Sequence, residues 1–272
     1  MAFAVAITRL APGAVSEATR GPEAAALAPL LGAGAYELRV ALGGAVPVVL
    51  ARNATHEAAS AWVDVLRGRG YGAVLCDESH VERGDEMFAP RDFVFGPHGL
   101  VGEVNSSSRA ELAWTDLVAV IAAARLRSET SSVETSHKQF SLGRAALTGG
   151  LSMSKKVTKT ERRSHDERES VAYLLNGRGS GAWLLVSSQL RYGGLGDRRA
   201  PAAHQNFQTL LAMLKQHAAQ ALHDARLMKQ NRLASKLVVS SGTVPGTVTT
   251  TNSAEVDLAV QMLATAHTQG QL

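Results

Sequence analysis

The sequence predicts an α+β fold. Short runs rich in Val, Ile and Phe end at Gly or Pro, and separate Ala- and Leu-rich segments repeat apolar residues at helical spacing. The balance then shifts toward strands after about residue 90. At 272 residues the chain has room for one large domain or two small ones with separate cores. Apolar residues make up 45% but aromatics only 5%, so the cores must be built mainly from Ala, Val and Leu.

Ala2–Thr8 (AFAVAIT) opens as a strand, closed off by Pro12-Gly13. Gly21-Pro22-Glu23 starts an Ala/Leu-rich helix that Gly32 ends, with Pro near the first turn. Tyr36–Leu42 (YELRVAL) alternates and runs into Gly43-Gly44; Val46–Ala51 (VPVVLA) follows at once, which reads as a hairpin. Thr55 and Glu57 then open a helix to about Arg67, in which Ala58, Ala61, Trp62, Val65 and Leu66 recur at helical steps. Tyr71–Cys76 is a last short strand. The order β-α-β-β-α-β over residues 1–82 is that of a ferredoxin-like sandwich, two helices on one face of an antiparallel sheet.

Val81–Pro90 reads as a linker, and a strand-rich module is expected over 86–228. In FVFGPHGLVGEV, Asp92–Phe95 and Leu100–Val104 make its opening hairpin, with Pro97 and His98 at the centre of the turn and His98 at most a rim contact. Glu111–Trp114 and Leu117–Ala124 continue the β pattern. Residues 127–169 read as a charged insertion: Arg127–His137 is a Ser/Thr/Glu-rich loop, Phe140–Met153 gives short strands with glycine turns, and Lys155–Glu169 is a solvated charged loop. Val171–Leu175 and Ala182–Val186 pair across Asn176-Gly177-Arg178-Gly179. Gln205–Met228 reads as the longest helix, with Phe207, Leu210, Leu211, Leu214, Ala218, Ala221, Leu222 and Ala225 on a face that must dock. Over 229–272, Ser240–Ser253 is a flexible linker and Ala254–His267 a tethered amphipathic helix.

Several strands followed by one amphipathic helix resemble a bacterial pleckstrin-homology-like (PH-like) module. Phe93, Phe95, Gly99, Leu100, Trp114, Asp116 and Leu117 carry the resemblance, with Phe207, Leu210, Leu211 and Leu214 in the capping helix. The resemblance implies an antiparallel barrel over about 86–228, and a fold of that kind does not by itself give a function.

Charge and motifs exclude more than they select. The net charge of +4 permits an acidic partner without demanding one. Cys76 is the single cysteine, so no internal disulfide and no cysteine-based zinc site can form, which fits a cytoplasmic location. No apolar run is long enough for a transmembrane helix of the usual kind, and MAFAVAITRLAPG lacks the basic start of a signal peptide. The phosphate-cradling spacings Gly-x-x-x-x-Gly-Lys-Ser/Thr and Gly-x-Gly-x-x-Gly are absent, as are Gly-x-Ser-x-Gly and His-Glu-x-x-His. Thr148-Gly149-Gly150 and Gly193–Gly196 therefore read as turns. No catalytic, metal or cofactor residue is assigned, and no cofactor is expected.

Two stretches retain chemistry. In Cys76-Asp77-Glu78-Ser79-His80 a thiol and an imidazole stand four apart at a strand end, enough for a nucleophile with its base if they converge, or for a buried Cys and an exit loop if they do not. In KKVTKTERRSHDERE, Lys155, Lys156, Lys159, Arg162 and Arg163 are candidate phosphate contacts for anionic lipid or nucleic acid, countered by the acids that follow. His217 and His223 stand six apart, off the i, i+4 spacing of a helical metal site, and His204 reads as a surface residue. The expected function is a non-catalytic interaction or regulatory protein with a protein partner or self-association. Lipid or nucleic-acid binding by the Lys155–Arg163 loop stands as the alternative, and a hydrolase or transferase centred on Cys76 and His80 as the weaker one.

Overall fold

The computed structural model describes residues 2–14, 16–105, 107–140, 154–177, 181–229, 238–241 and 247–272; for 53, 129–140, 154–165, 238–241 and 247–249 it describes the backbone alone. It contains both helices and sheets, as the pattern requires. Two compact units divide the chain: Met1–Arg125 with Glu169–Ser235 and Ser253–Leu272, and Leu126–Arg168 with Lys236–Asn252.

The first unit opens with β1 (Phe3–Arg9), α1 (Glu17–Leu31), α2 (Ala35–Leu42), β2 (Val48–Ala54), α3 (His56–Gly68) and β3 (Gly72–Asp77). α1 begins earlier than its Pro suggests, because the Ser16 hydroxyl accepts from Thr19 N at 3.3 Å and caps it; Gly32 ends it at φ 60°. Thr55 caps α3 in the same way, at 3.3 Å from Ala58 N. α3 buries Ala59, Val63 and Leu66, a stripe displaced from the one the apolar spacing suggests.

Tyr36–Leu42 is a helix and not a strand. Its alternation places Tyr36, Leu38, Val40 and Leu42 on one strand face, yet only Leu38 and Leu42, four apart, are buried. Glu37, Leu38, Arg39, Ala41 and Leu42 are strong helix formers, and propensity prevails over the period-2 pattern. The sheet consequently has three strands in the order β2-β1-β3, with β1 antiparallel to both neighbours, in place of the four of a ferredoxin-like sandwich. Val5 and Ile7 face α1–α3, and Ala4 and Ala6 face the other way.

A second block follows: β4 (Asp92–Phe95), β5 (Gly99–Asn105) and β6 (Ser108–Ala113) form an antiparallel meander. The expected opening hairpin is β4–β5, with Phe93 opposite Gly102 and Phe95 opposite Leu100. β7 (Leu117–Phe140), β8 (Ser154–Asn176) and β9 (Trp183–Val186) belong to another sheet, and Val171–Leu174 pair with Trp183–Val186 as the sequence suggests. α4 (Ala203–His217) stops well before Met228. Beyond Ala218 the chain straightens into β10 (Leu222–Asp224), parallel to Ala119–Ile121 of β7, so the tail of the apolar pattern completes a sheet. Phe93, Leu100, Leu112, Leu117, Ala172, Trp183, Leu185, Phe207, Leu210 and Leu214 share one core. Gly102 admits this packing: a Cβ there would meet the Trp183 ring at 2.7 Å.

The largest correction concerns the C-terminus. α5 (Ser253–Thr268) is not a tethered segment but an internal helix. Val256, Ala259, Val260 and Leu263 pack against Ile121, Tyr173 and Leu184, while Leu258, Met262 and Ala266 pack against Ala4, Ala6, Val74 and Cys76. After α5 the chain clips onto the first sheet. The Thr8 hydroxyl donates to Gln271 O at 2.7 Å, and Arg9 Nη1 donates to Leu272 O at 2.9 Å. Gly72 is needed there, since a Cβ would come within 2.1 Å of Gln271 O.

In the second unit, the expected loops at Arg127–His137 and Lys155–Glu169 are parts of the long strands β7 and β8. The expected linker Ser240–Ser253 contains β12 (Thr247–Thr251), and β11 (Val238–Ser241) reaches into it. β12 pairs with β7, Thr247 opposite Ser131 and Thr251 opposite Arg127. These segments are rich in Ser and Thr, and Thr suits a pleated surface as well as it suits a solvated loop. Composition alone does not separate the two.

Candidate functional site

The strand end at Cys76 is wired for structure. Cys76 is buried among Val74, Leu258, Met262 and Ala266. Burial, reinforced by the neighbouring Asp77 and Glu78, pushes its thiol up to about 11, which leaves little thiolate to attack anything. Asp77 binds Ser79 N at 2.9 Å and the Ser79 hydroxyl at 2.7 Å through Oδ1, and His80 Nδ1 at 3.0 Å through Oδ2. Those Ser79 bonds hold the Asp77 carboxyl below its usual range. Glu78 pairs with Arg52 at 2.5 Å. Each polar group of the motif engages a neighbour, the imidazole is exposed on its turn, and the thiol donates to Asp77 O at 3.8 Å. Thiol and base do not meet, so the hydrolase or transferase reading loses its support.

Lys155, Lys156, Lys159, Arg162 and Arg163 lie on the β8 backbone rather than on a loop, and their side chains are outside the described residues. Thr148-Gly149-Gly150 is also outside them. His98 is exposed at the turn, where Gly96 N donates to Gly99 O at 2.9 Å; its own carbonyl accepts from Trp114 N at 2.9 Å. Nearby, Phe95, Trp114 and His217 stack, with ring centroids 5.0–5.9 Å apart. His98 is thus part of the turn's hydrogen bonding, and His217 belongs to a ring stack. Among the described residues no group of three or more His, Cys, Asp or Glu is placed to hold a metal ion.

A cluster the sequence does not announce is Arg125, Tyr173 and Asp257. Asp257 Oδ1 accepts from the Tyr173 hydroxyl at 2.6 Å and from Arg125 Nη2 at 2.7 Å, and Oδ2 accepts from Gly84 N at 3.0 Å. Arg125 Nε and Nη2 also donate to the Tyr173 hydroxyl, at 3.0 and 2.8 Å. Burial pushes Tyr173 far up, so it stays a protonated donor. Arg125 and Asp257 border a cavity of about 360 Å³ that also reaches Arg83, Glu169, Gln189 and Ser253. The cluster's three members come from β7, β8 and α5, and each satisfies the others, so the chemistry fixes helix against sheet. Only tertiary contact unites them, and no sequence spacing could have found them.

One surface stands out for the opposite reason. Among the described residues the exposed large apolar side chains are Leu30 (54% exposed), Tyr36 (77%), Val40 (60%) and Val94 (60%). The first three fall on α1 and α2, which pack side by side. Scattered exposed apolar residues are ordinary, and three of these four fall on one helical pair. The alternation of Tyr36–Leu42 conceals these two side chains, because it puts Tyr36 and Val40 together with the buried Leu38 and Leu42.

Comparison with family models, with curated proteins and with solved structures finds no match for the chain.

Proposed function

We propose that this chain is a non-catalytic interaction or regulatory protein that binds a protein partner through the outer face of α1 and α2. The observation that carries the reading is the gathering of Leu30, Tyr36 and Val40 on one helical pair while Cys76 is buried and His80 is held by Asp77. Fully covering one such apolar side chain is worth roughly 1.5–3 kcal/mol. Covering three of them contributes to a contact of modest affinity, from which the cost of association has to be met. A PH-like arrangement of β4–β9 with α4 belongs to the same reading, supported by the core those elements share. Such a module would serve as a rigid carrier for the docking face.

The test is site-specific photocrosslinking in cells that make the protein. A benzophenone amino acid at position 36 should yield a discrete adduct that disappears when Val40→Glu is added, while the same probe at the exposed Asp64 position should yield none. Equal labelling at both positions, or none at either, would overturn the reading.

A further inference from the structure

The charges beside the apolar face select an occupant. On α2, Leu38 and Leu42 point inward while Tyr36 and Val40 point out. At 3.6 residues per turn, Glu37 and Arg39 lie about 80° to either side of the Tyr36–Val40 line. Both are exposed, and neither side chain has an ion-pair or hydrogen-bond partner among the described residues. An apolar stripe with an unmatched acid on one flank and an unmatched base on the other is complementary to itself in one orientation.

If two copies of α2 run antiparallel about a two-fold axis, each flank meets its own kind, Glu37 against Glu37 and Arg39 against Arg39. If they run parallel, the two-fold axis lies along the pair and each acid flank meets the other copy's basic flank. Both ion pairs then form, and Tyr36 and Val40 of the two copies close on each other. This is the flank logic that sets partner and direction in helical zippers.

We infer that the partner on this face is a second copy of the chain, with α2 parallel to α2 and Glu37 of each copy against Arg39 of the other; the inference rests on the docking reading above. An eight-residue helix buries less than the roughly 800 Å² per partner of a standard interface. The pairing is therefore weak and under the control of concentration.

Sedimentation equilibrium of the purified full chain over roughly 1 μM to 1 mM tests it. The expected result is a monomer–dimer equilibrium that Tyr36→Glu weakens by about a hundredfold or more. Glu37→Arg and Arg39→Glu should each weaken it about fivefold to tenfold, and the double exchange should restore it. Unchanged thermal midpoints would show that the variants fold, as the exposure of these positions requires. A chain that stays monomeric throughout would overturn the inference, and so would charge exchanges that leave the dimer constant unchanged. In the first case, persistence of the position 36 adduct in cells would leave the docking reading standing with a different partner.

Discussion

α2 and α5 are both helices with apolar residues at helical spacing, and they meet opposite fates. α2 buries one face, through Leu38 and Leu42, and leaves Tyr36 and Val40 in solvent. α5 buries nine of its sixteen residues, including Glu255 and Asp257, because a sheet lies against each of two faces. The difference lies in what surrounds each helix and not in its own pattern. A helix covered on two sides is internal, whereas a helix covered on one side leaves its other side in solvent. α5 carries stability and α2 carries a surface, and substitutions should separate those roles.

The largest effect should come from removing α5. Deleting Ser253–Leu272 exposes Val5's sheet on its far face together with the inner faces of β7 and β8, and strips away Asp257. We expect the shortened chain to lose cooperative unfolding altogether, as read by calorimetry. A cooperative transition like that of the intact chain would show that α5 is dispensable. Removing the exposed Tyr36 side chain should by comparison leave the transition nearly where it was.

Asp257→Ala comes next. It leaves the Arg125 guanidinium and the Tyr173 hydroxyl without their shared acceptor and Gly84 N without a partner. Breaking a buried pair from one side typically costs about 3–5 kcal/mol. Denaturant unfolding should report a loss of that order. A loss below about 1 kcal/mol would mean that water already serves these groups, as it does in surface pairs.

The contrast also separates what was legible in the sequence from what was not. β1, β3, the β4–β5 hairpin and the pairing of Val171–Leu174 with Trp183–Val186 could be read because local apolar runs and turn residues specify them. Each has its signal within a short local stretch of the chain. α2 was not legible because YELRVAL satisfies both periods, and only the inward direction of Leu38 and Leu42 decides between them. The apolar spacing of Ala254–His267 specifies a helix but not its depth, since the strands that cover α5 lie far away in the chain. Arg125, Tyr173 and Asp257 fail for the same reason: the ends of the triad are 132 residues apart. CDESH shows the converse, a cluster that is vivid in sequence yet divided once Cys76 turns inward and His80 outward.

The smallest effect belongs to Glu23, in α1 on the far side of the first sheet from α5. Arg69 Nε and Nη2 donate to its two oxygens at 2.9 and 2.8 Å, and the Tyr71 hydroxyl donates at 3.2 Å. The Arg69 hydrogen bonds hold the Glu23 carboxyl below its ordinary value, against a partial opposing effect of burial. In the window between the unfolded and the folded values, the unfolded chain binds more protons than the folded one, so stability rises with pH there. The contribution is complete above the unfolded value, near 4.5, and is lost as pH falls through the folded one. Partly exposed pairs of this kind contribute about 0.2–1 kcal/mol. Glu23→Gln should therefore lower stability by that amount at neutral pH, and the gap to the parent chain should narrow as the acid window is crossed. Asp77 is held low by Ser79 and titrates in both proteins, so the difference between the two unfolding curves isolates Glu23. A gap that stayed constant with pH would assign the loss to packing of the α1 surface, not to the ion pair, and would make α1 the counterpart of α5 rather than of α2.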